Sequence, residues 1–126
     1  MIKVIGLALA AALLSVPTFG AQITYVSCDL PATEASLASH FDFTLDEQRG
    51  TVSYFVKDAE ATNVEKAVFG PDAVTWTIEL PLGKITRKIS RIDLSFVEDL
   101  DLETIGMPVN HRVGKCSLVD PSSRKF

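Results

Sequence analysis

Val74, Trp76, Ile78 and Leu80 alternate without a break with Thr75, Thr77 and Glu79. A period of two puts every apolar side chain of that run on one face, which suits a half-buried strand and defeats a helix. The same pattern recurs along the chain. Phe41, Phe43 and Leu45 oppose Asp42 and Thr44, Asp46-Glu47-Gln48-Arg49-Gly50 reads as a turn, and Val52, Tyr54 and Val56 resume the alternation. That is a β-hairpin with a short loop. Gln22 to Cys28 is rich in Ile, Thr, Tyr and Val, all favoured in strands. Lys57 to Asn63 is polar and loop-like, and Val64 to Phe69 is a strand cut by Gly70-Pro71-Asp72. Pro81 to Lys84 turns the chain back, and Val113 to Val119 is the last strand.

Two details are less regular. Ile85 and Ile89 share one parity, whereas Ile92, Leu94 and Phe96 share the other, which predicts a β-bulge near Ser90-Arg91. Pro31 to Ser39 is small and polar, a loop or a single helical turn after the proline. No long segment has helical periodicity. The expectation is an all-β domain, a small antiparallel barrel or sandwich of about seven to eight strands. Its core is Phe41, Phe43, Val52, Tyr54, Val74, Trp76, Ile78, Ile92, Leu94 and Phe96.

The first residues belong to another kind of segment. Met1-Ile2-Lys3 precedes an apolar run from Val4 to Leu14, and small residues follow at Gly20 and Ala21. This is the pattern of a secretory leader over residues 1–20, cut after Gly20 where Thr18 takes the −3 position. The run is too short for a membrane span and is followed by Ser15 and Pro17. The expected product is a single β-domain, residues 21–126, in the periplasm or outside the cell, with no stable membrane anchor.

An oxidising destination gives the two cysteines meaning. Cys28 and Cys116 lie near the two ends of that domain, and an even count in a small exported chain implies a disulfide rather than two buried thiols. The bond ties the first strand to the last, so a meander becomes a ring without open edges.

Charge and motif content exclude several functions. Of 12 basic residues only Lys3 leaves with the leader, while all 16 acidic ones remain. A modestly acidic domain lacks the basic footprint that nucleic acid requires. His40 and His111, the two histidines, have no ligand-like neighbour at metal spacing. The cysteines are committed to the disulfide, so no Cys–His nucleophile pair forms. Neither a Gly-x-Ser-x-Gly elbow nor a phosphate-cradling glycine loop is present. The acidic run Glu98 to Glu103 reads as a solvated strand face, with Asp99, Asp101 and Glu103 alternating with Leu100 and Leu102, rather than as a calcium loop. No catalytic residue, cofactor or metal is assigned.

Three features bear on binding. Arg87 and Glu98 fall on core-facing positions, either as polar groups in the interior or as strand ends where parity is loose. Trp76 and the phenylalanines fill the core or line an interior pocket. Leu100, Leu102, Ile105, Met107 and Val109, beside Gly106 and Pro108, form either a partner-binding loop or a cap on the barrel end.

Val74-Thr75-Trp76, Ile89-Ser90-Arg91, Gly114-Lys115-Cys116 and Arg124-Lys125-Phe126 make the chain similar in layout to a broad group of small exported bacterial β-proteins with one disulfide. That resemblance implies a disulfide-closed β-domain and no particular activity. Tyr25-Val26-Ser27-Cys28 also resembles the early aromatic-x-x-Cys of periplasmic inhibitors of c-type lysozyme, whose Ser-Gly-rich inhibitory loop is missing here. The expected function is non-enzymatic binding of an exported protein partner. The alternatives are a small ligand in an interior apolar pocket and inhibition of a cell-wall hydrolase.

Overall fold

The computed structural model describes residues 22–56 and 58–120. The expected leader and its cleavage point therefore lie outside the described residues, as do Lys57 of the polar loop and Arg124-Lys125-Phe126.

Nine antiparallel strands form a nearly closed barrel. They are β1 (Ile23–Leu30), β2 (Ser39–Asp46), β3 (Thr51–Val56), β4 (Ala61–Lys66), β5 (Val68–Phe69), β6 (Ala73–Leu80), β7 (Gly83–Ser90), β8 (Ser95–Asp101) and β9 (Asn110–Leu118). Each pairs with its sequence neighbour, and β9 returns to pair with β1 through Val26–Leu118 and Cys28–Cys116. β4 and β5 are two halves of one segment that bends at Ala67: the first half pairs with β3, the second with β6. An expectation of about seven to eight strands thus becomes nine. β5 holds β6 through only two residue pairs, so the wall is loosest between β4 and the upper half of β6.

An up-and-down meander has two distinct ends. The connections 31–38, 58–60, 81–82 and 102–109 share one, called upper here. The turns 47–50, 70–72 and 91–94 share the other, together with Gln22 and Val119-Asp120.

The alternation works as read for most of the core. Phe43, Val52, Val74, Trp76 and Phe96 are buried, and Phe41, Tyr54, Ile78 and Leu94 pack half-buried against them. Phe43 lies at the centre, with Tyr54, Trp76 and Phe96 edge-on at centroid distances of 5.2 to 5.7 Å. Edge-to-face contact sets the positive rim of one ring on the negative face of the next. Val26, Leu30 and Ile89 complete the core, joined by both cysteines.

Cys28 and Cys116 are bonded across directly opposed ladder positions, Cα to Cα 4.0 Å. Gly114, two residues before Cys116, has its α-carbon against the Asp29 carbonyl of the neighbouring strand, where a Cβ has no room. The glycine lets β9 lie close to β1 at the bridge.

Ile92 is the clear correction: it is 77% exposed. The parity switch is not a bulge within one strand but a hairpin turn between β7 and β8, over residues 91–94. Arg91-Ile92-Asp93-Leu94 contains neither Gly nor Pro, so turn chemistry gave little warning. Asp93 supplies the turn instead, its carboxylate accepting from Ser95 N–H, a bond that holds its pKa down to about 2. Ser90 Oγ accepts from the amides of Ile92 and Asp93. Leu94 then takes a left-handed φ of 62°. Two smaller differences stand beside this. β4 begins at Ala61, inside the expected loop, and β9 begins three residues early, at Asn110.

Candidate functional site

Both core-facing charges are interior groups, not strand ends. Trp76, Arg87, Glu98 and Arg112 stand side by side on four successive strands, and none is more than 6% exposed. Glu98 Oε2 accepts from Arg87 Nε at 3.0 Å, and Oε1 accepts from Arg112 Nη2 at 2.6 Å. The Arg87 guanidinium also lies 4.5 Å from the centre of the Phe41 ring, a cation–π contact. Arg112 was not singled out from the sequence. Its neighbours Val113 and His111 are exposed, and the expected last strand began only at Val113, one residue too late to include it.

Arg112 does a second job. Its Nη1 donates to the carbonyl of Leu37 at 2.8 Å and to that of Pro31 at 3.4 Å, so it anchors the β1–β2 connection across the upper end. One carboxylate thus serves two guanidiniums, and the surplus positive charge is spread onto backbone carbonyls and a ring face.

The upper end carries the expected partner segment. Leu100 lies in β8 and, with Leu102, is half-buried. Ile105, Met107 and Val109 are 48%, 46% and 43% exposed. The segment therefore divides: its first two leucines pack, and the remaining three side chains are about half open to solvent. A single 3-10 turn, Glu103–Ile105, ends at Gly106 with φ 81°. Thr104 Oγ1 donates to the Leu82 carbonyl, binding this loop to the β6–β7 turn. Asn110 Nδ2 donates to Ser36 Oγ at 2.9 Å, and Thr33 Oγ1 donates to Asn110 Oδ1 at 3.3 Å. These bonds tie three loops together, and exposed Leu37 and Leu82 join the apolar set.

The lower end is open. A cavity of about 660 Å³ has a floor of Val26, Leu45, Val74 and Ile89. Arg91 and Glu47 form an ion pair at its rim, 3.0 Å apart. Trp76 and the inward phenylalanines Phe43 and Phe96 do not line it.

The outer wall holds the histidines. His40 Nδ1 is 2.7 Å from Asp29 Oδ1, while Nε2 is 3.2 Å from Asp42 Oδ1 and 3.3 Å from Ser27 Oγ. Ser27, His40 and Asp29 follow the order of a hydrolytic triad. The hydrogen bond to Asp29, with both carboxylate charges, raises the His40 pKa despite some desolvation, and Asp42 shares Nε2 with Ser27. The cluster lies on the exposed outer wall, with His40 and both aspartates more than half open to solvent. His111 pairs separately with Asp99. Among the described residues no group of His, Cys, Asp and Glu is arranged to hold a metal ion. No helix among them is long and apolar enough to cross a membrane.

Comparison with protein-family models, with curated proteins and with solved structures finds no match for this chain.

Proposed function

We propose that this is an exported binding domain, without catalysis, that engages a protein partner through the apolar surface of its upper end. The observation that carries this reading is the set Ile105, Met107 and Val109, each more than two-fifths exposed on a loop pinned by Thr104 and Asn110. Apolar side chains left outside a well-filled core cost solubility and contribute nothing to folding. A loop held in place pays little ordering entropy on binding. A disulfide suits an oxidising compartment, which supports an exported, periplasmic or secreted setting. The packed aromatic centre speaks against a ligand held among Trp76 and the phenylalanines.

The test is paired substitution. Ile105→Ser with Met107→Ser should weaken capture of the partner by cross-linking in periplasmic extract about tenfold or more, with a thermal midpoint within a few degrees of the parent. A large fall in midpoint with capture unchanged in the folded fraction would instead make the loop a structural cap. A captured cell-wall hydrolase would identify the binding as inhibition.

A further inference from the structure

The cavity at the lower mouth has an unusual division of chemistry. Its apolar lining is Val26, Leu45, Val74 and Ile89, all buried and aliphatic, with the half-buried ring of Phe69 beside them. None of those side chains offers a donor or an acceptor, so nothing there recognises a sugar, a peptide or a nucleotide. Hydrogen-bonding groups gather at the rim, in Arg91, Glu47, Ser90 and Thr24. The Arg91 guanidinium is fixed by three bonds, 3.0 and 3.5 Å to the two Glu47 carboxylate oxygens and 2.9 Å to the Gly70 carbonyl. Its charge is therefore already matched, and the rim is polar without being strongly cationic.

Two further observations point at the same mouth. Leu94 is held at φ 62°, a conformation that costs a leucine free energy and a glycine almost none. Its N–H donates to the Ser90 carbonyl at 3.1 Å, and its carbonyl accepts from Cys116 N–H at 2.8 Å, so the side chain is fixed against the cavity wall. Leu118 and Ile92 also border the cavity, although they are 66% and 77% exposed. Together they make an apolar collar above an apolar floor. The volume is within the range of small-molecule sites.

We propose that the lower mouth binds the aliphatic tail of a single-chain amphiphile, end-on, with its polar head at the Glu47–Arg91 rim. The floor selects an unbranched hydrocarbon because it offers dispersion and burial alone. The rim keeps the head hydrated, so no charged group has to be buried. This site is at the opposite end from the protein-binding surface and does not depend on it.

Octanoate, decanoate and dodecanoate below their micelle concentrations, and decanol below its solubility limit, are the probes. Binding is followed by calorimetry and by amide shifts in an ¹H–¹⁵N spectrum of the disulfide-bonded protein. Saturable binding should appear, with shifts centred on Ile89, Leu94 and Leu118. Each added methylene should tighten it about fourfold, the equivalent of about 0.8 kcal/mol. Decanol should bind comparably to decanoate. Thr24→Trp, which fills the mouth, and Leu118→Asp, which charges the collar, should each weaken decanoate binding at least tenfold while leaving the fold's spectrum intact. The proposal is overturned by absence of saturable binding, by shifts centred on the upper loops, by dependence on the carboxylate alone, or by unchanged affinity in both variants.

Discussion

Arg112 and Glu98 meet at 2.6 Å inside the barrel, and the same carboxylate holds Arg87 through its other oxygen. Glu98 is thus the sole acidic member of a buried group of three charges. Glu98→Gln leaves two guanidiniums facing each other in low dielectric. It should cost about 3–5 kcal/mol in a urea titration. Arg87→Met leaves a matched Arg112–Glu98 pair and a similar volume, so it should cost clearly less. Equal losses in the two variants would show that packing, rather than charge balance, governs this group.

The Cys28–Cys116 bond spans 88 residues of sequence. A loop of that length restrains the unfolded chain by about 4–5 kcal/mol in the chain-entropy account. Reduction should lower the unfolding free energy by an amount of that order. A change under about 1 kcal/mol would mean that the β1–β9 ladder alone holds the ring shut.

Gly114→Ala introduces a Cβ against the Asp29 carbonyl. Backbone atoms have little freedom to yield, so the substitution should destabilise by about 1–3 kcal/mol. It should also broaden the amide signals of Asp29 and Lys115. A neutral result would show that β9 shifts along β1 without loss.

Trp76 is 2% exposed and packs edge-on to Phe43. Trp76→Ala should cost about 3–5 kcal/mol. A denaturant midpoint equivalent to less than 1 kcal/mol of loss would contradict the register of β6.

The His40 pKa is raised above its usual 6.5, chiefly by the hydrogen bond to Asp29. A raised folded pKa means that the protonated form is favoured by folding. The stabilisation is complete below about pH 6.5 and fades as pH rises through the folded value. The side chains of His40 and Asp29 are 52% and 74% exposed, so screening keeps the contribution well under 1 kcal/mol. The difference in thermal midpoint between the parent and His40→Gln should therefore be largest in mild acid and vanish in alkali. A difference independent of pH would assign His40 a packing role.

Strands with clean alternation were legible before any coordinates, as β2, β3 and β6 show, because a one-sided core imposes period two directly on the sequence. The disulfide was legible too, since two cysteines allow a single internal pairing. Ile92 was misread because a turn without Gly or Pro imitates a continuing strand, and an apolar residue at its tip imitates core. Arg87 and Glu98 stood out as charges at apolar positions. Arg112 did not, because burial of an arginine among exposed neighbours depends on a loop, 31–38, that folds back over it from distant sequence. The lower cavity had no signature at all. It arises where the inward row of side chains ends short of the rim, and that depends on strand stagger rather than on any residue type.

Seen in cross-section, the row Trp76–Arg87–Glu98–Arg112 and the rings of Phe43 and Phe96 act as a bulkhead. The lower cavity is therefore a blind cup rather than a through-channel, with none of these six residues in its lining. A path from the lower cup to the upper end would have to displace the buried Glu98–arginine pairs and the rings around Phe43. A change at the lower rim is thus separated from the upper loops by a filled layer of the core.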